Sequence, residues 1–305
     1  MKIRILGSAA GGGFPQWNCY CRNCRGVRDG SLRARARTQS SIIVRGADPC
    51  AWVLVNASPD VLSQLRAYTD LQPGRSTRDS ALRAIVLMDA QIDHVTGLLM
   101  LRESQHRLDI WATPRVQMQL TSGLPIFGVL SHYCGVTLHD IDPGKDAFEV
   151  AGVGEIRWRA FAVQGKAPPY CPIEMGTDSN NIALEITDAK SNRSVVYAPG
   201  ISAITPALWD AMTRADAVLV DGTCWTDDEL SSLGISTRRA RDMGHLALHG
   251  RGGMIEWLCR LPAATRKVLV HINNTNPILD EDSNERAELV EHGIEVAHDG
   301  MEFEL

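Results

Sequence analysis

The sequence predicts an α/β fold in which two mixed β-sheets are stacked face to face and flanked by helices. Short apolar runs rich in β-branched residues alternate with helical patterns along the whole chain. Polar residues suited to catalysis follow several of these runs, and such positions can vary while the sheets stay rigid. No stretch of linker composition interrupts the alternation, so we expect one domain over residues 1–305.

The individual elements follow from hydrophobic periodicity, which is two residues for strands and 3.6 for helices. Asp60 stands where it can cap or charge the start of a helix whose apolar face begins at Val61. Further helices are predicted at residues 94–103, 206–213, 253–260 and 284–292. The predicted strands are residues 2–6, 41–44, 52–56, 84–88, 155–163, 182–186, 194–197, 217–220 and 267–272.

Composition and charge indicate which compartment and which binding partners to expect. The chain has 305 residues, is 44% hydrophobic and 22% charged, and carries a formal charge of −5, which is ordinary for a globular protein with a sizeable core. The N-terminal residues reach Gly7 before a signal-peptide core could form, and no apolar run is long enough for a bilayer. We therefore expect a cytoplasmic protein that binds neither nucleic acid nor membranes.

A polar turn at residues 89–94 follows a strongly apolar predicted strand. Asp89, Gln91 and Asp93 alternate, so their side chains point to one side of an extended chain, and His94 comes next. One interpretation is a metal site. The other is that Asp93 caps the following helix and His94 has no special role, because aspartate is a common N-cap. The pattern alone leaves both open.

Three cysteines lie within six residues, at Cys19, Cys21 and Cys24. Three thiolates so close would repel one another unless a cation or protons neutralised them, so the loop at 19–24 predicts a structural Zn²⁺. The alternative is a reduced, partly buried cluster. A fourth ligand is not evident from the spacing. The candidates are Asn274, His298, His271 and a water molecule.

Several segments, taken in order along nearly the whole chain, resemble the coenzyme PQQ biosynthesis protein B family. That family belongs to the metallo-β-lactamase superfamily and acts in making pyrroloquinoline quinone from a ribosomal peptide precursor. The resemblance therefore implies the metallo-β-lactamase-like αββα sandwich and a role in that pathway. The segments are residues 7–19, 56–60, 89–97, 165–170, 221–223, 243–245 and 271–277.

The superfamily turn reads His-x-His-x-Asp-His and serves two metals. Asp89 and Gln91 replace its first two histidines, so the resemblance implies that the first metal site is lost. Asp93, His94 and the later His271 match three ligands of the second metal. The resemblance therefore implies a site for one metal ion.

Two further superfamily ligands are missing. A bridging aspartate is expected at residues 197–200, which read Tyr-Ala-Pro-Gly, and a histidine is expected before Lys166. The two histidines and one carboxylate that remain, with open positions, are typical of a non-haem Fe(II) oxygenase. Two-metal hydrolysis needs ligands that this sequence lacks. We therefore expect Fe²⁺ as the divalent metal of the active site.

The resulting hypothesis is an O₂-dependent hydroxylase of the tyrosine-derived ring of the peptide-derived precursor. Asp89 and Gln91 would orient water or substrate, and His245 would transfer protons, as a histidine there does in hydrolase relatives. Lys166 and Arg238 would bind substrate carboxylates, although a solvated surface is the ordinary role of such cations. His245 alone is as typical of a structural residue.

Two other functions stay open. One is a zinc-dependent hydrolase that trims the precursor peptide, and the other is a non-catalytic carrier involved in transport of the quinone or its precursor. The expected partners are the small precursor and other proteins of the same pathway. A homodimer is also compatible with the sequence. The segment 221–223 ends an apolar strand and is suited to supporting the site.

Overall fold

Two β-sheets of seven strands each are stacked in the residues that this computed structural model describes, which are 1–145, 147–171 and 180–305. The strands of the first sheet are β1 (Lys2–Gly7), β2 (Ser41–Arg45), β3 (Trp52–Val55), β4 (Leu82–Val86), β5 (Leu108–Ala112), β6 (Val136–Asp140) and β14 (Glu302–Glu304). The strands of the second sheet are β7 (Phe148–Glu149), β8 (Ile156–Val163), β9 (Asn181–Asp188), β10 (Ser194–Ala198), β11 (Ala217–Asp221), β12 (Arg266–Val270) and β13 (Ile294–Val296).

The two sheets share one pairing pattern. Their strand orders are β14-β1-β2-β3-β4-β5-β6 and β13-β12-β11-β10-β9-β8-β7. Starting from β14 and from β7, each sheet has three antiparallel pairs followed by three parallel pairs. The carboxyl ends of β4, β11 and β12 therefore belong to the parallel parts, where open α/β sheets commonly place their sites.

Helices cover the outer faces of both sheets. Apolar side chains of the helices within residues 61–130 pack on the first sheet, and those of the helices at residues 206–214, 254–259 and 284–291 pack on the second. Both sheets are mixed and both are flanked by helices, so the predicted fold class is confirmed. The helices are α1 (Arg22–Asp29), α2 (Val61–Arg66), α3 (Ile92–Val95), α4 (Pro114–Met118), α5 (Ile126–Leu130), α6 (Pro206–Arg214), α7 (Glu229–Ser232), α8 (Ala240–Met243), α9 (Met254–Cys259) and α10 (Asn284–Glu291).

Strand β11 shows how the sequence builds these layers. Ala217 and Leu219 face the space between the sheets, whereas Val218 and Val220 face the helices. Successive side chains of a strand point to opposite faces, so a strand covered on both sides is apolar at every position. Burying one such side chain stabilises the fold by about 1.5–3 kcal/mol. Truncating Leu219 to alanine would cost about 2–5 kcal/mol.

The sequence missed five strands, which are β5, β6, β7, β13 and β14. Three of them have only two or three residues, and β6 has mostly half-buried and exposed side chains, so their periodicity is weak. The sequence also missed the helices α1, α4, α5, α7 and α8. Helix α1 begins inside the cysteine loop, where the sulfur of its N-cap residue Cys21 accepts a hydrogen bond from the Cys24 N–H.

Two predicted boundaries were wrong near the site. The predicted helix at residues 94–103 is instead the single turn α3 followed by a 3₁₀ segment, Thr96–Leu101. A Cβ built on Gly97 would lie 2.1 Å from the Ser58 carbonyl oxygen, so the chain passes too close to that loop for a side chain. Strand β12 ends at Val270, because the next residue turns out of the sheet. In the described part of the chain, the helices are too short or too polar to cross a membrane.

Candidate metal centre

The turn after β4 places the carboxylate of Asp89 beneath the start of a helix. The Gln91 N–H donates a hydrogen bond to Asp89 Oδ1 at 2.9 Å, which closes a tight turn of the kind that aspartate favours. Helix α3 begins directly afterwards, with Gln91 as its N-cap residue. Asp93 and His94 therefore stand side by side in the first turn of α3.

His94 is held in one orientation from two sides. Its Nδ1 lies 2.8 Å from both carboxylate oxygens of Asp89. Its carbonyl oxygen accepts the Ala57 N–H at 2.7 Å. A carboxylate only accepts, so Nδ1 carries a proton and Nε2 is the ring nitrogen that can offer its lone pair to an ion. Nε2 is buried and, among the described residues, has no hydrogen-bond partner, and it lies 3.7 Å from Asp93 Oδ2.

His271 reaches the same point from the second sheet. It follows β12 with a backbone φ of 56°, a left-handed conformation that costs a non-glycine residue about 1–3 kcal/mol. The backbone on either side is fixed, because the Ile272 N–H donates to Ser8 O and the Ala10 N–H donates to Ile272 O, both at 2.9 Å. As a result, His271 Nε2 lies 3.3 Å from Asp93 Oδ2.

Asp93, His94 and His271, which we call the Asp93 cluster, fit a divalent metal ion. One ligand atom from each residue lies within 4.8 Å of the others. The set comprises two imidazole nitrogens and one carboxylate oxygen, and the buried His94 Nε2 has no hydrogen-bond partner among the described residues. These residues are the ones that could hold an ion, and each histidine has its other ring nitrogen fixed by a hydrogen bond.

A proton on His94 offsets the negative charge of the neighbouring carboxylates when no cation is bound. Burial alone would raise the pKa of Asp93, but the neighbouring histidines outweigh it and hold that pKa well below its usual range. Burial alone would lower the pKa of His94, but the charges of Asp89 and Asp93 outweigh it and raise the pKa to about 9. A metal that binds here therefore displaces a proton from His94.

A glycine loop forms one wall of the cluster. A Cβ built on Gly11 would lie 3.2 Å from Asp93 Oδ2. The loop is held at this distance because Gly12 N–H donates to Gln39 Oε1 at 3.0 Å, and Gln39 in turn donates to Asp60. A side chain at position 11 would therefore require the carboxylate to shift by a few tenths of an ångström.

His245 stands next to the Asp93 cluster with its ring stacked on His271. The ring centroids are 5.2 Å apart with 24° between the planes. His245 Nδ1–H donates to Asp221 Oδ2 at 2.6 Å, which leaves Nε2 as the lone-pair nitrogen. Burial lowers the pKa of His245, but the charge of Asp221 outweighs this and raises it. The arrangement favours a histidine that readily takes up a proton.

The predicted role of Asp89 needs correction. The sequence predicted that it orients water or substrate, but its side chain is buried and both of its oxygens contact His94 Nδ1. Asp89 therefore orients a candidate metal ligand. Gln91 has a different surrounding, because its Nε2–H donates to the Lys166 carbonyl oxygen at 2.9 Å.

The two predicted substrate-binding cations differ in their contacts. Lys166 is exposed at the rim, where its Nζ donates to the Asp242 carbonyl oxygen at 2.9 Å. A Cβ built on Gly244, the residue before His245, would lie 3.4 Å from the Lys166 backbone nitrogen. Arg238 is exposed in the loop that leads to α8. Their role in substrate binding stays a prediction.

The sulfurs of Cys19, Cys21 and Cys24, which we call the cysteine cluster, lie within 4.8 Å of one another. Burial raises the pKa of the Cys24 thiol to about 11. Burial acts in the same direction on Cys19, but hydrogen bonds from the Cys21 backbone and from neighbouring side chains outweigh it and lower the pKa of that thiol. The cluster therefore has thiols of unequal acidity around one point.

The side-chain amide of Asn274 lies against all three sulfurs. Its Nδ2 is 3.1 Å from Cys19 Sγ, 3.3 Å from Cys24 Sγ and 3.7 Å from Cys21 Sγ. Rotating the amide by 180° would put its oxygen there, since the two ends have the same shape. Of the other candidates for a fourth ligand, His271 belongs to the Asp93 cluster, and His298 Nδ1 lies 3.0 Å from the Asp299 carbonyl oxygen.

Comparison with known proteins identifies the family. The model of the beta-lactamase superfamily domain matches residues 51–272. The chain is 58% identical to coenzyme PQQ synthesis protein B of Azoarcus sp. over 306 residues, and 57% identical to that of Cupriavidus taiwanensis over 304 residues. These alignments cover 100% and 99% of each chain, respectively. The chain belongs to the coenzyme PQQ synthesis protein B family.

Solved structures agree with membership in the coenzyme PQQ synthesis protein B family. The crystal structure of Zn²⁺-bound PqqB from Methylobacterium extorquens is 36% identical, has a TM-score of 0.89 and is covered completely in both directions. A diphosphatase of the PhnP family has 18% identity and a TM-score of 0.70, with 100% of this chain and 97% of that chain covered. At that identity the second likeness concerns the fold alone.

In this member of the PQQ synthesis protein B family, the sequence assigned no individual role to Gly11 or Thr223, although both lie in segments that carry the resemblance, 7–19 and 221–223. The hydroxyl of Thr223 lies 2.9 Å from His271 Nδ1, and the position of 221–223 after the apolar strand β11 was the signal that indicated a supporting role. Gly11 comes within reach of Asp93 only through the folding of the chain, so no local pattern could single it out within its glycine-rich turn.

Proposed function

We propose that this protein acts in coenzyme PQQ synthesis as an Fe(II)- and O₂-dependent hydroxylase of a tyrosine-derived ring in a peptide-derived precursor. The observation that carries the proposal is the Asp93 cluster, with two histidines and one carboxylate around one point. This ligand set leaves several coordination positions open, as non-haem Fe(II) oxygenases require. The family name of the relatives supports the pathway.

A one-metal site is favoured because the remaining polar residues of the turn are engaged elsewhere. Asp89 contacts the Nδ1 side of His94, away from the lone pair. Gln91 donates its amide to the Lys166 carbonyl oxygen. In two-metal relatives the corresponding positions are ligands of the first metal. Here they fix the histidine and the neighbouring loop, which leaves one ligand set.

The chain's own residues would divide the work as follows. Asp93, His94 and His271 would hold the metal, and Asp89 keeps the Nε2 lone pair of His94 aimed at it. A ferrous ion bound there would supply the redox chemistry that activates dioxygen. Gly11 lacks a side chain that would crowd the Asp93 carboxylate, which stays free to bind the ion.

The reaction that we propose converts one ring C–H bond into C–OH. One oxygen atom of O₂ enters the product and the other leaves as water, with two electrons from a small reductant such as ascorbate and two protons. The ring carbon releases a proton when aromaticity returns. His245 is suited to take that proton at Nε2, because Asp221 favours its protonated form.

Substrate carboxylates would bind to the exposed cations Lys166 and Arg238. Lys166 lies next to the residues that precede His245. Arg238 lies in the loop before α8 and could meet a second carboxylate in a bidentate manner. Both assignments rest on charge and position.

A separate structural Zn²⁺ in the cysteine cluster is part of the same proposal. Three thiolates and one amide oxygen, from Asn274, would make a four-coordinate site, which is the usual number for structural zinc. Such an ion would tie the loop at 19–24 to the residues that follow His271. Metal content of protein purified without chelator tests this: zinc should remain after iron is removed.

A zinc-dependent hydrolase is the second candidate, because the relative from Methylobacterium extorquens was solved with Zn²⁺ bound. That function predicts cleavage of a peptide bond in the precursor without O₂. It also predicts two metal ions near Asp93, besides any ion of the cysteine cluster. A carrier would bind the quinone without turnover.

The deciding experiment is anaerobic reconstitution with Fe(II), followed by addition of ¹⁸O₂, ascorbate and the precursor. We expect a product that is heavier by one ¹⁸O atom, and none with Zn²⁺ or without O₂. Asp93→Asn is the variant, and Asp228→Asn, on the exposed N-cap of α7, is the matched control. Turnover by the Zn²⁺ protein without O₂ would overturn the hydroxylase and favour the hydrolase.

A further inference from the structure

A buried carboxylate lies behind both of the histidines that would act on metal and substrate. Asp221 ends β11 and is fully buried. Oδ2 accepts from His245 Nδ1–H at 2.6 Å and from the Ile201 N–H at 3.2 Å. Oδ1 accepts from the Thr223 N–H at 2.9 Å and from the Thr223 hydroxyl at 2.6 Å. Four donors thus hold it in one orientation.

The hydroxyl of Thr223 connects this carboxylate to the second histidine. It lies 2.9 Å from His271 Nδ1, 2.9 Å from the His271 carbonyl oxygen and 3.1 Å from His245 Nδ1. A hydroxyl has one proton to donate, and the closest and most strongly charged acceptor is Asp221 Oδ1. The hydroxyl oxygen is then an acceptor for His271 Nδ1–H.

This network sets the same tautomer in both rings. His245 and His271 each carry their proton on Nδ1, so each has its lone pair on Nε2. The Nε2 of His271 faces Asp93 Oδ2 at 3.3 Å, and the His245 ring is stacked on that of His271. We propose that Asp221, acting through Thr223, is the positioning residue that fixes a metal ligand and the proton-transferring histidine together.

A second metal site at Asp221, His245 and His271 is the competing interpretation, since ligand atoms of these residues also lie within 4.8 Å of one another. The hydrogen bonds disfavour it. Both Nδ1 atoms already face the carboxylate or the Thr223 hydroxyl, which lies within 3.1 Å of all three side chains. The space that an ion would need is therefore taken by an oxygen atom of the protein.

The inference rests on the proposed function only in the roles given to the two histidines. Removing the Thr223 hydroxyl without changing its shape leaves His271 Nδ1–H without its acceptor, so the ring loses its preferred tautomer and orientation. Loss of such a partner typically weakens metal binding by about 10- to 100-fold. Thr223→Val should show this weakening, and Thr223→Ser, which keeps the hydroxyl, should restore it.

The experiment measures anaerobic binding of Co(II) by its visible absorption, with Fe(II) binding measured in competition. Thr265→Val is the matched control, because Thr265 is also a buried threonine whose hydroxyl donates to a backbone carbonyl, that of Ala215 at 3.1 Å. We expect weaker binding and an altered Co(II) spectrum for Thr223→Val. The control and Thr223→Ser should match the unmodified protein.

Asp221→Asn provides an independent arm if the valine variant does not fold. An amide N–H facing His245 Nδ1 would move the ring proton to Nε2, which ¹⁵N NMR of the imidazole nitrogens detects directly. Unchanged metal affinity, spectrum and tautomers in both variants would overturn the inference. Weakened binding combined with no ¹⁸O incorporation by the unmodified protein would overturn the hydroxylase and leave the positioning role standing.

Discussion

The cysteine cluster and the Asp93 cluster share one short segment, residues 271–276, which we call the linking loop. His271 at its start faces Asp93, and Asn274 lies against the three sulfurs. The cysteine cluster takes its sulfurs from a single six-residue stretch. The Asp93 cluster combines a turn after β4 of one sheet with a residue after β12 of the other.

The donor atoms of the two clusters differ as much as their construction. Three thiols with an adjacent amide suit a closed, structural zinc site. Two imidazoles and a carboxylate leave positions open for reactants. We therefore expect one end of the linking loop to anchor the chain and the other end to take part in the proposed reaction. Changes at the first end should therefore act on stability, and changes at the second end on activity.

The largest effect should come from removing the carboxylate of the Asp93 cluster. For Asp93→Ala we expect hydroxylation to fall by at least about 1,000-fold, which corresponds to about 4 kcal/mol of barrier. The physical reason is that only the two histidines remain to hold the ion. Steady-state rates and bound iron after gel filtration measure it, with Asp228→Ala as the control. Iron retained at full stoichiometry would contradict the assignment of the ligands.

The second effect concerns the other end of the loop. Cys24→Ser should lower the free energy of unfolding by about 3–4 kcal/mol, because loss of a structural metal is among the most destabilising changes known. Urea titration of the zinc-loaded proteins measures this, and Cys50→Ser, a half-buried cysteine outside the cluster, is the control. If Cys24→Ser abolished activity while leaving stability unchanged, the division between anchor and reactive site would be wrong.

The third prediction concerns a buried carboxyl group that contacts the linking loop. Glu229 is buried, and it accepts hydrogen bonds from the Thr275 hydroxyl at 2.5 Å and the Trp225 N–H at 2.6 Å. Burial outweighs these donors and raises its pKa to about 7. Below about pH 4.5 the carboxyl group of Glu229 is mostly protonated in both the folded and the unfolded chain, so its burial does not lower the free energy of unfolding through ionisation.

Between about pH 4.5 and pH 7, Glu229 is ionised in the unfolded chain but still protonated in the folded chain. The free energy of unfolding therefore falls as the pH rises through this range, and it stays lower above pH 7. Glu229→Gln removes this loss. The free energy of unfolding of the variant, measured relative to the unmodified protein, should therefore be higher at pH 8 than at pH 4.5 by up to about 3 kcal/mol. Urea titrations at both pH values measure the difference. A gain that is the same at both would show that Glu229 does not titrate in this range.

The smallest effect should come from the glycine wall. Gly11→Ala puts a methyl group 3.2 Å from Asp93 Oδ2, where the carboxylate must shift by a few tenths of an ångström. We expect kcat to fall about tenfold, because small misplacements near reacting groups are costly. Stability should change by less than about 0.5 kcal/mol. Gly74→Ala, which meets nothing within 4 Å, is the control, and equal rates for both variants would exclude a role for Gly11.

The same comparison explains what the sequence could predict. Continuous apolar runs such as 217–220, which form strands covered on both sides, are strong strand signals, and the sandwich followed from them. The short strands β13 and β14 alternate apolar and charged residues over only three positions, which is too little to recognise. Cys19, Cys21 and Cys24 are close in the sequence, so their cluster was visible from spacing.

The Asp93 cluster could be predicted only through resemblance, because His271 follows Asp93 by 178 residues. The correction at Asp89 has the same origin. Its carboxylate contacts His94 because the turn closes on itself with a hydrogen bond from the Gln91 N–H. Alternation along an extended chain predicted instead that Asp89 points to the same side as Gln91 and Asp93. Local patterns report the face of an element, whereas partners across the sheets depend on the closed fold.

We expect the Asp93 cluster to hold a single redox-active ion, distinct from the ion of the cysteine cluster. The most direct test is anomalous diffraction, above and below the iron and zinc edges, from crystals of protein reconstituted anaerobically with Fe(II). We predict one iron peak bounded by Asp93, His94 and His271, and one zinc peak among the three cysteines. Two metal peaks beside Asp93, or none in metal-replete crystals, would contradict the account.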